Sequence, residues 1–233
     1  MSYRGFIPFI TDYCVKKNKV EDKISILEIG VMEGLTTFPL SNNLSFLKCN
    51  LEYTAVDIFI RPSVIERYNY SYQSKKHLKL IEENSLNFLD NISKTDYKFD
   101  VILVDGDHNY ETVKKECSYL NKILKKDGIV VFDDFYNKHS LKDSYYSEDP
   151  EYKNITIATE RKKQTSIEGT RPAIEEYLTI NGLLHFGMRK SEEEYHAPIV
   201  SFKKDNKLLF ELLFSSPQYK DFLIQIKEKI NNI

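Results

Sequence analysis

Four aliphatic residues, Val101-Ile-Leu-Val104, run directly into Asp-Gly-Asp-His at 105–108. An apolar run closed by Asp-Gly reads as a buried strand stopping at a turn. Strands that are apolar on both faces belong to parallel sheets covered by helices on each side. In open α/β sheets, ligands sit outside the carboxyl ends of the strands. The stretch therefore places Asp105, Asp107 and His108 where such folds do chemistry. The plainer reading of the same residues is a solvated, capped strand-to-helix turn.

The pattern repeats along the chain. Ile24 to Gly30 is a strand that enters a turn framed by Gly30 and Gly34, followed by a helix start. Glycine permits backbone angles and a close ligand approach that a side chain would block. The helix N-terminus offers N–H groups to a polar ligand. Glu28 stands inside this apolar strand, and a buried carboxylate is costly without a partner. Tyr53 to Asp57 is a second strand ending in an acid, about twenty residues beyond the glycine turn. An acid there either accepts hydrogen bonds from ribose hydroxyls or caps the next helix. Lys76 to Ile81 is a third strand. After it, Asn84 and Ser85 either meet a base edge or cap a helix over Leu86 to Asn91.

A helix is predicted from about Tyr110 to Lys126, with Tyr110, Val113, Cys117, Leu120 and Leu124 on one face and lysines on the other. Asp127-Gly128 is expected to end it. Gly128 to Phe132 then forms a strand ending in Asp133-Asp134. Neighbouring strands lie ~4.8 Å apart, so pairing of 101–104 with 129–132 would bring Asp105, Asp133 and Asp134 together. Carboxylates that close raise one another's pKa unless a cation sits among them. Hard oxygen donors suit Mg²⁺, Mn²⁺ or Ca²⁺.

The remainder frames this core. With 33 Lys+Arg against 35 Asp+Glu, the chain lacks the basic excess of a dedicated nucleic-acid binder. Cys14, Cys49 and Cys117 are scattered without a CxxC, which suits a reducing compartment. No apolar run approaches the roughly 20 residues of a membrane span, and the start of the chain has no secretory h-region. A cytoplasmic protein is the expectation. Its 233 residues are read as one domain: a helical segment within 1–22, a core over 24–203, and a helix over 208–233. Within the core, 135–170 is too long for an ordinary connection and is expected to be a lid or substrate loop. Arg161 to Lys163 inside it reads as solvated surface before an anion contact. A helix begins near Thr170-Arg-Pro, and Leu183–Lys190 and Ala197–Lys203 read as a closing pair of strands. His185 and His196 are expected to be structural or exposed. Helices outside the core are compatible with a homo-oligomer.

The whole order resembles a class I S-adenosylmethionine (SAM)-dependent methyltransferase across residues 24–203. Such a fold is Rossmann-like α/β, a mostly parallel seven-stranded sheet with helices on both faces. Glu28-Ile-Gly-Val-Met-Glu-Gly34 looks like the family's Glu-x-Gly-x-Gly-x-Gly loop and departs from it at Met32, where the middle glycine should be. Val104-Asp-Gly-Asp-His-Asn-Tyr-Glu111 followed by Gly128-Ile-Val-Val-Phe-Asp-Asp134 is a more specific pairing. It resembles the macrocin-type, metal-dependent sugar O-methyltransferases. The resemblance implies that Glu28, Gly30 and Gly34 line the cofactor loop and Asp57 holds the ribose. It implies that Asn84 or Ser85 borders the adenine, with Asp105 also beside the cofactor. Asp105, Asp133 and Asp134 would bind Mg²⁺ (or Mn²⁺ or Ca²⁺), and His108 or Asp107 would be the general base. The acceptor would be a small molecule, a sugar or glycosylated metabolite.

Three other readings compete. A nucleotide-dependent oxidoreductase would use Asp57 on an NAD ribose, but it calls for a tighter Gly-x-Gly-x-x-Gly loop and leaves Asp133-Asp134 unexplained. A non-catalytic scaffold of the same fold would dock a partner through 208–233. A methyltransferase acting on a catechol-like diol would want an apolar slot where a sugar enzyme wants polar groups.

Overall fold

The computed structural model describes residues 6–71, 74–135, 169–187 and 197–231. Among the described residues, seven strands form one sheet in the order β3-β2-β1-β4-β5-β7-β6. They are β1 (Ile24–Ile29), β2 (Leu51–Asp57), β3 (Leu78–Glu82), β4 (Phe99–Val104), β5 (Leu124–Phe132), β6 (Leu184–Gly187) and β7 (Ile199–Phe202). The first five are parallel to one another, and β7 runs antiparallel between β5 and β6. This is the Rossmann-like, mostly parallel α/β architecture expected from the sequence. Every residue of β1 and β4 is buried, which is why both read as unbroken apolar runs rather than alternating ones.

The two-residue repeat of the strands sends alternate side chains to opposite faces. Ile24, Ile26, Val101, Leu103, Ile129 and Val131 face one apolar layer, shared with α1 (Ile7–Asn18), α2 (Thr37–Phe46), α8 (Lys207–Ser215) and α9 (Lys220–Asn231). Leu27, Ile29, Ile102, Val104, Val130 and Phe132 face the other, shared with α5 (Ser85–Ile92), α6 (Tyr110–Ile123) and α7 (Thr170–Ile180). Short helices α3 (Pro62–Tyr70) and α4 (Ser74–His77) complete the connection from β2 to β3.

Two expectations are corrected. The α6 helix stops at Ile123, and β5 begins at Leu124 rather than Gly128. Leu124 pairs with Phe99, and the register then shifts before Val101 meets Ile129. Lys125 sits in that irregularity and reaches buried Asp100 at 2.8 Å, so strand pairing and an ion pair outcompete a helix ending at Asp127-Gly128. The C-terminal segment is two helices, not one. Pro217 starts a 3₁₀ turn over Pro217–Tyr219 between α8 and α9, because proline cannot supply the N–H of a continuing helix.

Both terminal regions pack on the sheet. Phe9 meets Phe186 of β6 edge-on at 5.3 Å, and Phe222 of α9 stacks on Phe186 at 4.5 Å. Among the described residues, no helix is long and apolar enough to cross a membrane. Arg161 to Lys163, His196 and positions 136–168 of the expected lid lie outside the described residues.

Candidate active site

Strand order reverses between β1 and β4, and the expected residues gather at their carboxyl ends. Gly30 takes φ +90°, and a Cβ built there would lie 1.9 Å from the Asp105 carbonyl oxygen. Asp105 N–H donates to Ile29 O at 2.8 Å, so the two loops touch through backbone alone. Gly30→Ala combines a backbone clash with a left-handed conformation. We expect it to cost about 3 kcal/mol or more, read as a fall in thermal midpoint; an unchanged midpoint would mean the loops can separate freely.

Met32 also has positive φ, at +47°. The position where the resembling family carries glycine thus keeps the glycine-like backbone, at a cost of roughly 1–2 kcal/mol. Asp57 stabilises it: its Oδ2 accepts from Val31 N–H at 2.7 Å and Met32 N–H at 3.0 Å. Oδ1 accepts from Phe59 N–H at 3.2 Å. Asp57 therefore joins the glycine turn to the end of β2, and its carboxylate stands half-buried at the sheet edge.

Glu28 lies deeper, 1% exposed, with Tyr53 OH donating to its Oε2 at 2.8 Å. Burial above all, and the Asp57 charge, push its carboxyl up to about 8, against the hydrogen bonds it accepts. The folded value thus lies above that of an unfolded chain, roughly 4.3. The stability that neutral Glu28 contributes is full below about pH 4 and is lost as pH rises to about 8. Glu28→Gln keeps an acceptor for Tyr53 without a titrating proton. Its thermal midpoint relative to the parent protein is expected to rise between about pH 5 and about pH 8; a constant difference would place the titration elsewhere.

After β3, Asn84 caps α5, its Oδ1 accepting from Leu86 N–H at 2.9 Å and Asn87 N–H at 3.4 Å. Ser85 Oγ donates to Glu116 Oε1 at 2.7 Å. Sequence reasoning misses Glu116, although it stands three residues after Val113 and four before Leu120, beside the apolar stripe of α6.

The acidic cluster follows β4 and β5, which pair as expected, Val104 opposite Phe132. His108 Nε2 lies 3.3 Å from Asp105 Oδ1 and 3.3 Å from Asp134 Oδ2. One ligand atom from each of these three residues falls within 4.8 Å of the others. Asp134 adopts φ +50°, and Thr170 Oγ1 donates to its carbonyl at 2.9 Å. Asp133 is buried, with Oδ1 lacking a hydrogen-bond partner among the described residues. Burial, then the charges of Asp134 and Glu28, raise the Asp105 carboxyl well above its usual range, although a hydrogen bond with Asp133 opposes this. Burial, Asp105 and Asp134 raise Asp133 likewise. The sequence placed His108 apart, as a base, and Asp133 with the other acids. The geometry brings His108 between Asp105 and Asp134.

Asp107 points elsewhere. Its Oδ2 accepts from Thr112 Oγ1 at 2.7 Å and its Oδ1 from Asn109 Nδ2, which ties it to the start of α6. His185 is half-buried on β6, where burial, then Lys229 and Arg171, lower its imidazole to about 4.

Residues 27–135 match a family model described as a methyltransferase domain. No curated protein matches the sequence. Among solved structures, the chain is similar to the O-methyltransferase from Bacillus cereus in complex with S-adenosylhomocysteine (SAH). That pair is 16% identical, with 84% of this chain and 81% of the other covered and a TM-score of 0.52. It is similar also to the O-methyltransferase TomG from Streptomyces achromogenes, involved in tomaymycin synthesis and solved with SAM. Identity there is 12%, coverage 83% and 79%, and the TM-score 0.53. The SAM-dependent methyltransferase from Agrobacterium tumefaciens gives 11%, 84% and 62%, with a TM-score of 0.52. At these identities the likeness establishes the fold. The family model, for its part, describes residues 27–135 as a methyltransferase domain.

Proposed function

We propose that this chain transfers a methyl group from SAM to a hydroxyl of a sugar or another small polar metabolite, with a divalent cation at the acidic cluster. The observation that carries the reading is the meeting of Asp105, His108 and Asp134 within 4.8 Å, beside the Gly30 turn. The sugar acceptor rests on the likeness of 104–111 and 128–134 to the macrocin-type enzymes. A cytoplasmic setting goes with unpaired Cys14, Cys49 and Cys117.

The donor set fits a cation. Two carboxylates face one another across 105 and 134, and Asp133 adds a buried oxygen with no other partner among the described residues. The carboxyls at 105 and 133 are raised first by burial and then by their neighbours' charges, and a cation would offset both. Asp105, Asp133 and Asp134 would hold it, and when bound it lowers the pKa of acceptor hydroxyls and orients them.

The chain's own residues do the rest. The Gly30 turn and Asp57 hold the cofactor, with Asn84 and Ser85 at its base. This places a sulfonium methyl close to the acceptor oxygen, and holding the two reactants together is the main source of rate in such a displacement. His108 takes the proton from the acceptor oxygen. Asp105 and Asp134 each lie 3.3 Å from its Nε2. Asp107 has both oxygens engaged by Asn109 and Thr112, which argues for His108 over Asp107 as base.

The test is calorimetric titration with SAH, with and without Mg²⁺. Micromolar binding, about 8 kcal/mol, is expected. Absence of binding in both conditions would sink the proposal.

A further inference from the structure

Helix α8 buries one face and leaves the other open. Leu209, Leu212 and Leu213 are buried in the core. On the opposite face Lys207, Phe210, Glu211 and Phe214 form one outward stripe at helical spacing. Phe214 is 67% exposed. Its ring stacks on Phe210 at 6.4 Å, and Phe210 meets Phe202 of β7 edge-on at 5.8 Å. A ladder of rings thus climbs from the core to the surface. Its two outer rings line a groove of about 740 Å³ that also carries Lys16, Lys204 and Lys207. A single exposed apolar side chain is ordinary, whereas stacked rings in one groove mark a contact surface.

The stripe is matched to its own copy. Positions 207, 210, 211 and 214 lie symmetrically about the midpoint between Phe210 and Glu211. An antiparallel copy turned about a twofold axis through that midpoint sets Lys207 of each chain against Phe214 of the other. The charges agree with this pairing. Helix α8 has no acidic residue in its first turn and no basic residue in its last. Lys207, its first residue, has no ion pair among the described residues. A cation at a helix N-terminus opposes the macrodipole, and one at the C-terminus complements it. In the antiparallel pair each Lys207 reaches the C-terminal turn of the other helix, over an aromatic face. Glu211 lies one turn away on that helix as the nearest acid. An anionic membrane is less suited to this face, because Asp205 and Glu211 stand in the same groove and would meet its charge.

We infer that this face docks a second copy of the chain, α8 against α8, about a twofold axis. One helix pair is a small interface, below about 1,200 Å² in total, so the dimer is expected to be half-formed only at roughly 0.1 mM.

The experiment is sedimentation equilibrium of the full chain from about 5 µM to about 0.5 mM, a range spanning that midpoint. The parent protein is expected to pass from one chain to two. Phe214→Lys removes the ring and sets two lysines together. It should weaken association at least about 10-fold, as loss of a central aromatic anchor does, with the thermal midpoint unchanged. Crosslinking under mild oxidation reads the register. Glu211→Cys lies next to the axis and should join two copies. Lys207→Cys stands seven residues from its mate along the axis, ~10 Å, beyond disulfide reach, and should not. A parent protein that stays monomeric at the highest concentration overturns the inference. So does a dimer that Phe214→Lys leaves intact, or crosslinking at 207 in place of 211. Co-sedimentation with phosphatidylserine vesicles that Phe214→Lys abolishes, without a dimer, would give the face to a membrane instead. Should Phe214→Lys fail to fold, the two cysteine variants decide.

Discussion

Asp134→Asn is expected to slow methyl transfer by roughly 10²- to 10³-fold, about 2.7–4 kcal/mol of barrier, while SAH still binds within a few-fold of the parent value. Asparagine is the right probe because Asp134 sits at φ +50°, a conformation that Asn tolerates and that most other residues would strain. The change removes one negative charge from a cluster whose members repel one another. The thermal midpoint without metal should therefore hold or rise, and a loss of activity could not be laid to unfolding. Asp134 meets His108 and Thr170 on the side of β5, whereas the Gly30 turn is held by Asp57, which is why cofactor affinity should survive. Asp105→Asn is a less clean companion, because Asp105 also borders the backbone contact with Gly30. The measurement is turnover against a panel of sugar acceptors with Mg²⁺ present, beside SAH calorimetry on the same preparation. A scaffold protein of this fold would show no turnover in the parent protein and an unaltered biological role in Asp134→Asn, whereas full turnover in Asp134→Asn would remove Asp134 from the chemistry.

The parts of this arrangement that were legible in the sequence are those set by local pattern. Strands β1 and β4 announce themselves as unbroken apolar runs because a parallel strand buried on both faces needs no polar alternation. Acids at the end of β2 and directly after β4 and β5 mark the carboxyl edge for the same reason. What was not legible depends on contacts between distant segments. Lys125 reads as part of an amphipathic helix until Asp100, 25 residues away, is seen to bind it. The break at Pro217 was visible as a proline but was overrun by helical periodicity on either side. Met32 looked like a lost glycine. Its backbone angle is nonetheless retained, because Asp57 holds the neighbouring N–H groups. The sequence points to the chemistry of His108 but not to its neighbours, since a histidine four residues beyond a strand end can point into or away from that end. Only the fold of the Asp-Gly-Asp-His turn, with Asp107 drawn to Thr112 and Asn109, turns His108 toward Asp134.

That position gives His108 two chemically distinct roles, and one variant separates them. As the general base, His108 takes the acceptor proton, and its loss should lower kcat by roughly 10²- to 10⁴-fold with cation affinity held within a few-fold. As a third ligand beside Asp105 and Asp134, its loss should lower cation affinity by at least about 10- to 100-fold, and excess metal should restore much of the rate. His108→Gln is the variant to make, since it preserves side-chain volume at a site that is 10% exposed. Isothermal titration with Mn²⁺ and Mg²⁺ gives the affinity, and rates at saturating metal give kcat. The geometry also makes the two roles antagonistic. A cation held by Asp105 and Asp134 competes with His108 Nε2 for the same two oxygens, each now 3.3 Å from it. Metal binding would therefore release the imidazole toward the acceptor and bring in the buried oxygen of Asp133 as replacement. On that account Asp133→Asn should weaken cation binding while His108→Gln does not. The reverse pattern would make His108 the ligand and leave the base to be found elsewhere.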